Sequence, residues 1–148
     1  MTGLRFSHFG ICVSDLDRSL RFYCEALGFA PAMRHEVGPE FGTLMEIEGV
    51  QVTSQFIRRE GLLVELLHYG SPGHVGEPVR RPVNQLGLTH LNFQVDDVDA
   101  AAALVAANGG QVLGHTRTTF DPATGFDADF VYCTDPDGTR IELMRLPT

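Results

Sequence analysis

Apolar residues occupy alternate positions in two short stretches of the chain: Phe9, Ile11 and Val13 in the first, Leu91, Phe93 and Val95 in the second. Such alternation predicts strands with one face turned to a core. Each stretch runs into an acidic or hydroxyl-bearing pair, Ser14-Asp15 or Asp96-Asp97, suited to capping a helix and sitting at the positive end of its dipole. The period then lengthens. Leu16, Leu20, Tyr23 and Leu27 recur at helical spacing along one face, a helix of about three turns. In the second copy residues 98–107 are largely alanine, which predicts close packing of that helix on its sheet. Gly28 and Gly109-Gly110 close the two helices, as left-handed C-terminal caps do.

The two stretches are one pattern written twice. Displaced by 82 positions, His8 falls on His90, Val13 on Val95, Asp15 on Asp97, Asp17 on Asp99 and Gly28 on Gly110. A fixed offset in so short a chain predicts a duplicated module. Further strands are expected at 32–37, 51–58 and 62–69 in the first copy, with Glu60-Gly61 as the tight turn. Residues 41–48 between them have no clear period. In the second copy strands are expected at 111–118, 127–134 and 140–145, with Asp135-Pro136-Asp137-Gly138 as a turn. The glycine- and proline-rich stretch 71–87 reads as a linker between module one (1–70) and module two (88–148). The predicted fold class is α+β, two βαβββ modules forming curved mixed sheets around a cavity.

Composition narrows the function. The 148 residues hold 19 Asp and Glu against 11 Lys and Arg, a formal net charge of −8. That repels phosphate backbones and anionic lipid, so neither nucleic acid nor membrane is an expected partner. No apolar run approaches the roughly 20 residues of a spanning helix, and residues 1–10 lack the layout of a signal peptide. Cys12, Cys24 and Cys133 are odd in number and without CxxC spacing, which fits buried thiols in a reducing cytoplasm.

The candidate chemistry sits where the repeat and the strand pattern conflict. Alternation leaves His8, Gly10 and Cys12 on the face opposite Phe9 and Ile11, and His90, Asn92 and Gln94 on the matching face of the second copy. The apolar runs 63–67 and 140–144 each carry one carboxylate, Glu65 and Glu142. A charge within a strand built for burial costs several kcal/mol unless paired or bound to a cation. One His and one Glu per module, at matching places, suit a borderline divalent ion such as Zn, Ni, Mn, Co or Fe, with positions open for water or substrate. Thr53, Gln55, Asn92, Gln94 and Arg140 are expected to face or reach the same hollow, with Gln55, Asn92 and Arg140 as the leading substrate-binding candidates. His35, His68, His74 and His115 have no repeat partner and are expected at the surface.

Residues 8–23, Leu27-Gly28-Phe29, Val64-Glu65-Leu66-Leu67, the stretch 89–98, Asp135-Pro136-Asp137-Gly138 and Ile141-Glu142-Leu143 together resemble the vicinal oxygen chelate superfamily. That superfamily includes glyoxalase I, methylmalonyl-CoA epimerase, extradiol dioxygenases and the bleomycin and fosfomycin resistance proteins. The resemblance implies a metal held by His8, Glu65, His90 and Glu142, a small-molecule substrate, and a site closed within one chain or across a homodimer; a homodimer is expected. The four-residue His/Glu/His/Glu set resembles bacterial glyoxalase I. It implies a lyase or isomerase that moves a proton next to a carbonyl through an enediolate, with Glu142 as base and Glu65 as its counterpart. Two departures mark this chain: Cys12 stands where those glyoxalases carry an arginine for glutathione, and Tyr69-Gly70 where they carry Asn-Trp. The alternatives are an Fe(II) ring-cleaving dioxygenase using His8, His90 and Glu142, and a non-catalytic binding or resistance protein.

Overall fold

A computed structural model describes residues 3–147. The chain divides into two units. One comprises Gly28–Gly76 with the chain up to Cys24; the other runs from Glu77 onward and includes Glu25–Leu27. Both are mixed α+β.

In the first unit β1 (Phe9–Cys12) leads to α1 (Leu16–Arg21), then to β2 (Ala30–Val37), a 3₁₀ turn (Pro39–Phe41), α2 (Gly42–Met45), β3 (Gln51–Arg59) and β4 (Leu62–Ser71). The strands form one sheet in the order β1-β4-β3-β2. β1 and β4 run parallel, whereas β2, β3 and β4 are antiparallel. Asp15 settles the choice of cap: its Oδ1 accepts the Arg18 amide at 2.9 Å. The helix expected to run three turns is α-helical only to Arg21, then widens into a π turn over Phe22–Ala26. The extra residue in that turn carries consecutive Phe22 and Tyr23 fully inside, their rings edge-on at 5.4 Å. Ile11, Val13, Val64 and Leu66 complete this core, and α1 packs on β4. Glu60 and Gly61 both take positive φ, 48° and 82°, as the two-residue hairpin joining β3 to β4 requires.

The second unit repeats the plan: β5 (Leu91–Gln94), α3 (Val98–Ala107), β6 (Gln111–Val112), β7 (Thr118–Phe120), β8 (Ala128–Thr134) and β9 (Arg140–Arg145). The sheet order is β5-β9-β8-β6, with β7 also on β8, and β5 and β9 again run parallel. Asp97 caps α3 through the Ala100 amide at 2.9 Å. The alanine-rich helix does pack on β6, β8 and β9, burying Val98, Ala102 and Val105.

One strand differs from expectation. The stretch 111–118 is not continuous: β6 ends after two residues and a 3₁₀ turn spans Gly114–Thr116. The Thr116 hydroxyl replaces the missing ladder bonds, donating to the Leu113 carbonyl at 2.7 Å and accepting the Tyr132 amide at 2.9 Å. The stretch after Gly76 lies on the second unit. Arg140 Nη2 donates to the Arg81 carbonyl at 2.9 Å, and a Cβ on Gly138 would meet Val79 carbon at 2.6 Å, so that position admits only glycine. No helix among the described residues is long and apolar enough to cross a membrane.

Candidate metal centre

The parallel pairs β1/β4 and β5/β9 bring each histidine to its glutamate. In the first unit Gly10 is opposite Glu65, and His8, two residues earlier, turns to the same face. His8 Nε2 lies 3.2 Å from Glu65 Oε2. In the second unit Asn92 is opposite Glu142, and His90 Nε2 lies 3.1 Å from Glu142 Oε2. All four side chains are partly exposed, between 19% and 34%.

The surroundings of the two pairs also repeat. The residue before each histidine carries a hydroxyl, and it meets the other ring nitrogen: Ser7 Oγ is 2.9 Å from His8 Nδ1, and Thr89 Oγ1 is 2.9 Å from His90 Nδ1. An aromatic ring directly across the sheet from each glutamate packs on each imidazole. Phe56 is opposite Glu65 with its centroid 5.0 Å from the His8 ring; Tyr132 is opposite Glu142, 5.7 Å from His90. Each carboxylate takes one neutral donor. The Ser54 hydroxyl donates to Glu65 Oε1, and Asn92 Nδ2 donates to Glu142 Oε2 at 2.6 Å.

Each unit therefore offers an imidazole nitrogen and a carboxylate oxygen about 3 Å apart. Among the described residues no three His, Cys, Asp or Glu side chains form one cluster; the candidates come as two pairs. Each pair offers one imidazole nitrogen and one carboxylate oxygen, and that donor chemistry fits a borderline divalent ion. The hydroxyl on Nδ1 fits the same role, because an Nδ1–H held by an acceptor leaves the Nε2 lone pair for a metal.

Of the substrate-binding candidates, Asn92 and Arg140 share a face with Glu142, while Gln55 does not share one with Glu65. Gln55 is opposite Leu66, on the buried side of β3, and is 5% exposed. Its amide donates to the Phe56 and Met33 carbonyls, at 2.8 and 3.4 Å, which commits it to the sheet interior. Thr53 lies on that side too, donating to Glu36 Oε2 at 2.8 Å; the hydroxyl bond holds the Glu36 carboxyl below the usual range. Arg140 is 6% exposed, its guanidinium 4.8 Å from the Tyr132 ring centre. Asn92 is bonded to Glu142 itself.

Several residues escaped the sequence reading: Ser7, Thr89, Ser54, Phe56 and Tyr132. Only the first two carried a signal, two hydroxyls at the same offset of 82 as the histidines they precede. His35 is exposed as expected, but it stands opposite Ser54 with its ring 6.2 Å from Phe56, on the face that carries Glu65. Tyr69 is on that face as well; burial, then the negative charges of Cys12 and Glu65, push its phenol above the ordinary value. Of the cysteines read as buried, only Cys133 is; Cys12 is exposed on the face of β1 that also carries His8 and Gly10, and Cys24 is half-buried. Beside Glu142 a cavity of about 240 Å³ is lined by Thr116, Thr118, Phe130, Val131 and Tyr132.

A family model described as the Glyoxalase/Bleomycin resistance protein/Dioxygenase superfamily matches residues 5–143. The chain is 30% identical over 146 residues to a 2-epi-5-epi-valiolone epimerase from an Actinomyces species, covering 95% of this chain and 78% of that protein. It is 29% identical to a probable lactoylglutathione lyase of Vibrio parahaemolyticus, over 98% of this chain and 93% of that one. A glyoxalase family protein of Bacillus cereus has the same fold, with a TM-score of 0.83 at 21% identity over 100% of this chain and 99% of that one.

Proposed function

The chain belongs to the Glyoxalase/Bleomycin resistance protein/Dioxygenase superfamily, and from that premise we propose that it is a divalent-metal-dependent lyase or isomerase that moves a proton next to a carbonyl of a small molecule. The observation that carries this reading is the repeated pair, an imidazole Nε2 facing a carboxylate oxygen in each unit. His8, Glu65, His90 and Glu142 are the proposed ligands of one ion. A divalent ion held there would supply Lewis-acid stabilisation of negative charge on a substrate oxygen. Zn, Ni, Mn, Co and Fe all suit two imidazoles and two carboxylates.

The chain's own residues then divide the work. Glu142 takes the proton from the carbon next to the carbonyl and returns it, because its carboxylate lines the cavity and a carboxylate is a competent base near neutral pH. Glu65, partnered by Ser54, holds its place as the second carboxylate. Phe130, Tyr132 and Thr118 shape a hollow for a compact group. Arg140, held by the Arg81 carbonyl and close to the Tyr132 ring, sets the edge of that wall. Cys12 offers no cation to a glutathione carboxylate, which favours a substrate without that tail. Similarity to both an epimerase and a lyase supports proton transfer as the shared step. Action as a homodimer in the cytoplasm is part of the same proposal.

The test is deuterium incorporation. Protein reconstituted with Ni or Zn is incubated in D₂O with a panel of α-hydroxy ketones, hemithioacetals and acyl thioesters, and the α-proton is followed by NMR. Exchange or turnover that disappears in Glu142→Gln supports the reading. Oxygen uptake on catechols by the Fe form, without exchange on any carbonyl substrate, overturns it.

A further inference from the structure

The two His–Glu pairs match closely except in how each carboxylate is held. Phe56 opposite Glu65 corresponds to Tyr132 opposite Glu142. Two residues along, Ser54 opposite Leu67 corresponds to Phe130 opposite Met144. On the other side of each glutamate, Gly10 corresponds to Asn92. The donor has therefore exchanged strands: the first unit has Ser54 on the antiparallel neighbour and Gly10 on the parallel one, and the second unit has Phe130 on the antiparallel neighbour and Asn92 on the parallel one.

The exchange changes which oxygen is occupied. Ser54 donates to Glu65 Oε1, leaving Oε2, the oxygen facing His8, without that donor. Asn92 donates to Glu142 Oε2, the same oxygen that faces His90. A hydrogen bond on the far oxygen fixes a carboxylate's orientation and leaves the near oxygen to a cation. A hydrogen bond on the near oxygen draws charge from it and competes with the cation for its lone pairs.

From this asymmetry we infer that Ser54 and Asn92 are positioning residues that make the two glutamates unequal ligands, Ser54 fixing Glu65 as the firm one and Asn92 keeping Glu142 the readily released one. The inference rests on the metal reading above and deepens it: the ligand that lets go is the one beside the cavity.

The experiment measures zinc affinity of the full chain by competition with a chromogenic chelator, so it needs no substrate. Ser54→Ala is expected to bind zinc at least about tenfold more weakly, in the range seen when outer-shell partners are removed, and Ser54→Thr to retain affinity near wild type. Asn92→Ala is expected to bind as tightly as wild type or more so, with slower zinc release to the chelator. The opposite signs are the signature, since a merely structural role would weaken binding in both. Ser54 is 2% exposed and its variant is checked for folding by circular dichroism; Asn92 is exposed and decides the matter alone. Asn92→Ala binding more than threefold weaker, with wild-type affinity intact, overturns the inference and leaves the metal reading standing. Wild-type protein that binds no zinc, nickel or manganese overturns both.

Discussion

Arg117 gives the fold a sharp test, because it anchors the wall of the cavity beside Glu142. It stands between Thr116 and Thr118, which line that cavity, and points the other way, to the helix side. Its Nε and Nη2 grip both oxygens of Asp129 on β8, and Nη1 reaches Asp99 on α3 at 2.8 Å. The three sites differ in burial: the side chain of Asp129 is 12% exposed, that of Arg117 30% and that of Asp99 85%. Removing one partner of a fully buried pair costs about 3–5 kcal/mol, because the other charge is stranded. Arg117 is partly solvated and the positive charge of Arg145 also acts near Asp129, so Arg117→Ala is expected to cost about 2–3 kcal/mol. Arg117→Lys keeps the charge but loses the fork, for about 1 kcal/mol. Asp99→Ala, at an exposed site, is expected to cost about 0.5 kcal/mol. Urea unfolding of the three variants and of Asp129→Asn, closed as a double-mutant cycle with Arg117→Ala, measures these values. Arg117→Ala within about 0.5 kcal/mol of wild type, or Asp99→Ala as costly as Arg117→Ala, would refute the assignment of the anchor to Asp129.

Other outcomes follow from the same geometry. Thr89→Val and Ser7→Ala are each expected to weaken zinc binding about tenfold, with the metal-free chain within about 1 kcal/mol of wild-type stability, checked by chelator competition and urea titration. A thiol reagent at pH 8 is expected to label Cys12 first and Cys133 only as the chain unfolds, read by mass spectrometry, since Cys12 is exposed and Cys133 buried. Burial pushes the Cys133 thiol up to about 11, so the folded state favours the protonated form. That contribution is complete below the ordinary thiol value of about 8.5 and is lost as pH rises from there towards 11. Urea titrations across that range are expected to show the decline in wild type and a flatter profile in Cys133→Val.

The repeat was legible because it is written in residues the fold needs twice: a histidine entering a strand, an aspartate capping a helix, a glycine ending it. The places of both caps, narrowed to Ser14-Asp15 and Asp96-Asp97, follow from that pattern, whereas the parallel pairing of β1 with β4 and of β5 with β9 comes from the structure. Cross-strand register did not follow from it either, since a strand's alternation sets two faces without saying which neighbour shares them. Gln55 shows the consequence. Next to Phe56 in sequence, it is turned to the buried face because Phe56, not Gln55, is opposite Glu65. The 82-residue offset also breaks before the glutamates, which are 77 residues apart; the first unit carries the 3₁₀ turn and α2 between its second and third strands. That shift concealed the pairing of Phe56 with Tyr132 and of Ser54 with Phe130. The break of residues 111–118 into two short strands escaped the pattern because a threonine hydroxyl, not a hydrophobic period, closes the gap.

The central claim is that two pairs, one in each unit, serve a single ion. Metal content and affinity measured together on wild type and on His8→Ala, Glu65→Ala, His90→Ala and Glu142→Ala test it most directly. One tightly bound divalent ion per chain is expected in wild type, and every one of the four substitutions is expected to weaken that same ion by about a hundredfold or more. Two ions per chain, or an ion that survives both substitutions in one unit, would contradict it.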